Sequence, residues 1–276
     1  MIPYPFSYFA SLAPVKTAFK NRKVLTWFQM IFTLIFLVSL SLIPAALQTA
    51  SQTSYELTTF VEDAYNPLQN PDAFKTLQAA SFKDHQLQLS DQAESFKSDK
   101  GSLHLAQKPK KDAEGVNLAF LKEQVIVSKN QRQLATISYR GMTDADLKSP
   151  EHLAQALNKN WFQENRPVIS LFIIGISAGL LALNFLFISF GASFFLYLTR
   201  KSRLFAFRTF KEGYNFTLNI LGLPVLLSVF VGLFGAPITT VVLVQNIAFV
   251  LYMVYAFFKT HYRDEEAGQK EKGPKA

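Results

Sequence analysis

The chain has 276 residues, a formal charge of +8, 49 % hydrophobic residues and no cysteine. Without cysteine there is no thiol catalysis, no iron–sulfur cluster and no cysteine zinc site, and any extracytoplasmic domain must hold without disulfides. The basic surplus sits in short segments beside apolar runs, so it reads as a topology signal and no nucleic-acid partner is expected.

In chain order, Phe6, Phe9, Leu12 and Phe19 recur at helical spacings, punctuated by Pro3, Pro5 and Pro14 and followed by Lys16, Lys20, Arg22 and Lys23. Residues 1–23 are expected to form a cytoplasmic amphipathic segment in the interface, with aromatics in the acyl boundary and bases against anionic membrane lipids. Val24–Leu42 then runs without a charge. A spanning helix needs about 20 apolar residues, so residues 24–48 are assigned to a first span. Its apolar region exceeds that of a cleaved signal peptide, and an uncleaved anchor is expected.

Residues 49–166 carry fourteen bases and fifteen acids and form a polar segment. Ser54 precedes a periodic face of Tyr55, Leu57, Phe60, Val61 and Ala64, and Pro71-Asp72 opens a short helix through Phe74 and Leu77. Period-two alternation then predicts strands at His85–Leu89, Ser102–Leu105, Gln124–Ser128 and Leu134–Tyr139, the last two joined by a hairpin loop at Lys129–Gln133. Asp144–Phe162 returns the chain as a helix. This is a small α+β unit of about four antiparallel strands. No aromatic cluster is evident in it.

Three further spans follow, at residues 167–198, 216–235 and 237–258, separated by a basic loop at 199–215 and ending in a tail at 259–276. Val168–Leu198 would be roughly 46 Å long as a helix, longer than a bilayer core needs. No ionisable residue lies in the core of any span. The polar candidates are Asn184 and the Gln245-Asn246 pair, at similar depth, for hydrogen bonds between helices or for lining a path. Gly175 and Gly179 make a GxxxG packing face, and Pro224 would kink the third span against its neighbours. The loop residues Arg200, Lys201, Arg203, Arg208 and Lys211 set the topology and offer a docking surface. With the bases before the first span, they place both termini in the cytoplasm and residues 49–166 outside a cell membrane.

Chemistry is sparse. His85, His104, His152 and His261 show no metal-ligand spacing and are read as surface histidines. Asp144 and Asp146 are read as a helix N-cap cluster. No catalytic residue, cofactor or metal is assigned, and no enzymatic activity is expected.

Phe6–Pro14 with its basic run, the first span ending in Ile43-Pro44, and Arg208–Leu218 leading to Leu223-Pro224 resemble a Gram-positive family of uncharacterised four-span membrane proteins that includes the maltodextrin utilisation protein MalA. The resemblance extends over nearly the whole chain. It implies a link to maltodextrin uptake beside an ABC sugar importer, and it carries over no site residues.

The fold expected is therefore an α-helical integral membrane protein with four transmembrane helices, one plus three, and a small extracytoplasmic α+β domain between the first and second. The function expected is a non-enzymatic accessory of maltodextrin uptake. An envelope-sensing or signalling module is the alternative, and a carrier in its own right the third reading.

Overall fold

The computed structural model describes residues 2–89, 92–98, 101–109, 114–202 and 205–264. In chain order the helices are α1 (Phe6–Phe9), α2 (Val15–Lys20), α3 (Trp27–Ser51), α4 (Pro71–Gln78), α5 (Pro150–Leu198), α6 (Phe210–Leu233) and α7 (Ile238–Thr260). The strands are β1 (Ser81–Lys83), β2 (Gln86–Gln88), β3 (Glu94–Ser98), β4 (Gly101–Leu105), β5 (Val116–Phe120), β6 (Gln124–Lys129) and β7 (Arg132–Ser138). They divide into a helical unit, Met1–Ser51 with Leu171–Ala276, and a second unit, Gln52–Ser170. The chain is mostly helical. Its sheet lies in sequence between the first long apolar helix and the rest.

Among the described residues, four helices are long and apolar enough to cross a membrane, and they contain α3, α5, α6 and α7. In α6, 67 % of the apolar window is buried, against 11–28 % in the other three. So α6 is the central helix, and the others turn large apolar side chains outward, among them Phe187, Phe195 and Phe258. An outward apolar surface of this extent requires a covering other than water. Close helix approach is made at small residues. A Cβ on Gly232 would lie 2.7 Å from Pro44 Cβ of α3 and 2.9 Å from Val241 Cγ2 of α7. A Cβ on Gly213 would lie 3.0 Å from the Ser193 carbonyl oxygen of α5. Gln48 of α3 donates to the Gly232 and Ala236 carbonyls at 3.2 and 2.9 Å, tying α3 to the turn that follows α6.

The N-terminal segment departs from the interfacial reading. It packs into the helical unit. Tyr8 is buried and its hydroxyl donates to the Leu218 carbonyl at 3.3 Å, while Asn219 Nδ2 donates to the Ala18 carbonyl at 3.2 Å. Tyr252 Oη of α7 donates to the Leu12 carbonyl at 3.0 Å. Phe19 is buried among Phe207, Phe216 and Tyr262, with ring centroids 5.7, 5.8 and 6.1 Å away. Only Phe6 and Phe9 of the aromatic run face outward. Hydrophobic periodicity marks an apolar face without saying whether lipid or protein covers it, and here much of it is covered by α6 and α7.

The second unit holds a two-stranded sheet, β1–β2, and a five-stranded sheet in the order β3-β4-β5-β6-β7. All pairs are antiparallel except β4–β5, which is parallel. The predicted hairpin loop is tighter than expected: Lys129 pairs with Arg132 across Asn130 and Gln131, both at positive φ. Such a two-residue turn suits the twist of the flanking strands. β4 and β5 are buried throughout, and Asn117 within β5 is 1 % exposed. The helix predicted from Asp144 begins at Pro150 and continues without a break to Leu198, with Pro167 inside it. Asp144–Leu147 is instead a 3-10 turn closed by a capping box, in which Thr143 N–H donates to Asp146 Oδ2 at 2.7 Å.

Candidate functional site

The polar residues of the apolar helices separate by face. Asn184 and Asn246 exchange two amide hydrogen bonds, at 3.4 and 3.2 Å, joining α5 to α7. Gln245 is fully buried on a different face of α7, and neither of its amide atoms has a hydrogen-bond partner. Neighbouring residues on a helix point about 100° apart, so the two cannot serve one contact. Both amide atoms of Asn215, the Asn219 Oδ1 and the Ser41 Oγ are likewise buried without partners. Replacing Asn184 with leucine leaves Asn246 unpaired between helices. The expected loss of detergent stability, read as a thermal shift, is about 2 kcal/mol or less. A larger loss would mean that the pair organises more than one contact.

Gly175 and Gly179 have open space around them: nothing lies within 4 Å of a Cβ built at either. Pro224 is buried within α6. Of the basic loop, Arg200 stacks 4.1 Å from the Tyr197 ring centroid and donates to its hydroxyl, and Lys201 and Arg208 are exposed. Lys211 is half-buried. Arg203 lies outside the described residues. The acid set against these bases is Glu212. At the third position of α6 it accepts from the Arg208 N–H at 2.9 Å and forms an ion pair with Lys23, Nζ lying 3.6 Å from its Oε1. Arg22 is buried, pairs with Asp264 at 2.8 Å, donates to the Phe19 carbonyl at 3.1 Å and lies 4.3 Å over the Phe19 ring.

In the second unit, His104 corrects the surface reading. It is buried in the sheet, with Nδ1 2.8 Å from Ser95 Oγ and Nε2 3.3 Å from Asn117 Oδ1. The period-two pattern placed it on a strand, but β3 and β5 on either side of it were not predicted. Among the described residues no three His, Asp or Glu come together in a metal-binding group.

A cleft of about 360 Å³ lies between the start of this unit and the first turns of α5, lined by Ser54, Tyr55, Glu56, Thr59, Gln155 and Asn158. Its frame is rigid. Asn158 Oδ1 accepts from the Leu57 N–H at 2.9 Å, capping the 3-10 turn Leu57–Thr59, and from the Tyr65 hydroxyl at 2.7 Å. Burial, with the Glu56 carboxylate close by, pushes the Tyr65 phenol well up, so it remains a donor. Gln155 and Asn158, three residues apart on α5, share one face. Behind the cleft Tyr55, Phe60, Trp161 and Phe162 form a ring group: Tyr55–Phe60 at 5.8 Å, Tyr55–Phe162 at 6.3 Å, Phe60–Trp161 at 5.5 Å. The aromatic cluster that no single stretch of sequence displays is assembled from two stretches about a hundred residues apart.

The family described as "Protein of unknown function (DUF1189)" matches residues 7–258. The chain belongs to this family. It is also 44 % identical over 265 residues to the "Maltodextrose utilization protein MalA" of Streptococcus pneumoniae (strain ATCC BAA-255 / R6), covering 96 % of this chain and 98 % of that protein. No solved structure matches the chain. The match to the DUF1189 family runs from α1 almost to the end of α7, so it takes in both units.

Proposed function

We propose that this DUF1189 protein is a non-enzymatic accessory of maltodextrin uptake, held in the cell membrane by α3, α5, α6 and α7 and acting beside an ABC-type sugar importer. The observation that carries the reading is 44 % identity, over nearly the full length of both chains, to a protein named for maltodextrose utilization. Two physical features favour an accessory over a carrier. The apolar windows of the four helices lack the ionisable side chains with which coupled carriers handle protons and ions. The chain also has no phosphate-binding loop with which to use ATP.

In this reading both termini and the basic loop face the cytoplasm, because Lys/Arg-rich short loops stay inside. The second unit then lies outside, and Arg200, Lys201, Arg208 and Lys211 are presented to anionic lipid or to the importer. The cleft also favours a second reading, an envelope sensor whose outer unit binds a ligand.

Deleting the gene is expected to impair growth on maltodextrins, or to lower importer levels, while growth on glucose is unchanged. The purified protein alone in vesicles is expected to give no maltodextrin flux. Uptake by the isolated protein would establish a carrier. Normal growth and importer levels with an altered envelope stress response would establish the sensor.

A further inference from the structure

We infer that the cleft between Ser54–Thr59 and Gln155–Asn158 is a saccharide site that takes a neutral glucosyl unit of a short maltodextrin. The choice of glucan rests on the uptake reading; the class, a neutral polyhydroxylated ring, follows from the lining. The volume, about 360 Å³, is at the lower end of the roughly 300–1,000 Å³ typical of ligand pockets, enough for a small ligand and too little for a folded partner.

No lysine, arginine or histidine lines the cleft, and Glu56 is its one charge. A phosphorylated or otherwise anionic ligand would meet a carboxylate with no compensating cation, which disfavours sugar phosphates, anionic wall polymers and lipid phosphates. What the lining offers is planar and bifunctional. The Gln155 amide both donates and accepts, the Glu56 carboxylate accepts, and Ser54 and Thr59 contribute hydroxyls. Asn158 Oδ1 is committed to Leu57 N–H and Tyr65 Oη, which leaves its NH₂ as the donor for a ligand. Vicinal hydroxyls of a pyranose need such paired donors and acceptors.

The half-buried Tyr55 ring supplies the other requirement, a flat apolar surface for the C–H face of the sugar. Its contacts with Phe60 and Phe162 hold it in place. Preorganisation of both components limits the entropy lost on binding.

The test is calorimetric titration of the full-length protein in a detergent without a sugar headgroup, using maltotriose and inorganic phosphate as probes. Saturable binding of maltotriose and none of phosphate is expected. Tyr55→Ala and Gln155→Ala should each weaken it about tenfold, the scale of one lost contact, with unchanged thermal melting. Gln155 is exposed and its side chain makes no hydrogen bond among the described residues, so it reports on the ligand even if the Tyr55 variant loosens the ring group. Absence of binding, binding indifferent to both variants, or competition by phosphate would overturn the site. If binding is absent while deletion still impairs growth on maltodextrin, the site falls and the uptake reading stands. If binding follows the variants while deletion has no effect on growth, the uptake reading falls and the site stands.

Discussion

Replacing Gly222 with leucine is expected to expel the N-terminal segment from the helical unit. Gly222 lies on the face of α6 that receives α1 and the turn after it. A Cβ built there would be 2.0 Å from Leu12 Cδ2 and 2.7 Å from Tyr8 Oη. Those atoms are the ends of side chains, so Gly222→Ala can be accommodated if Leu12 changes rotamer. A leucine cannot be. Overpacking at a tight contact costs about 1–3 kcal/mol, and relieving it would break the Tyr8–Leu218, Asn219–Ala18 and Tyr252–Leu12 hydrogen bonds. Limited trypsin digestion in detergent reads the outcome, because Lys16 and Lys20 are exposed but held in a packed helix. The leucine variant should be cut there at least several-fold faster than wild type, and the alanine variant little faster. Equal cleavage of all three would mean that the segment does not occupy this groove.

The long helices were legible because nothing else explains four uncharged runs of spanning length. Their partners were not legible, since a hydrophobic run says how much surface is apolar and not what covers it. α6 is the instructive case. Its composition resembles that of α5, yet it is the buried helix and α5 the most exposed. The available signal was the small residues Gly213 and Gly222 on opposite sides of α6, which let α5 approach on one side and the segment around Leu12 on the other.

In the second unit, β2, β4, β6 and β7 were legible by alternation. β5 was missed because Asn117 alone interrupts Val116, Leu118, Ala119 and Phe120, too little alternation to mark a strand. β3, with Glu94, Ser95, Lys97 and Ser98 around a lone Phe96, reads as a polar loop and is an edge strand. The cleft was illegible for a different reason. Tyr55 and Glu56 lie about a hundred residues from Gln155 and Asn158 in the chain, and no local pattern encodes their juxtaposition.

Gly101→Ala is expected to disrupt the five-stranded sheet at its centre, because the strain at this glycine cannot be relieved by a side chain. Gly101 opens β4 with φ at +137°, and a Cβ there would sit 2.1 Å from the Val116 carbonyl oxygen and 3.2 Å from Pro67 Cγ. The first obstacle is backbone of β5, the strand that pairs with β4 in parallel, with Gly101 opposite Val116. An alanine therefore adds an unfavourable φ, about 1–3 kcal/mol, to the displacement of a fully buried strand. Gly141 separates the two effects. Its φ is +74°, but nothing lies within 4 Å of its Cβ position, so Gly141→Ala carries the backbone strain alone. The Gly101 variant should lose about 4 kcal/mol or more, in the range that marks severe single substitutions and comparable with the whole stability of a small domain. Amide hydrogen exchange in the full-length protein is the measurement. β4, β5 and β6 should lose protection together in Gly101→Ala and keep most of it in Gly141→Ala, with α6 and α7 unaffected in both. Equal protection in the two variants would show that β4 and β5 are not joined at Gly101 and Val116.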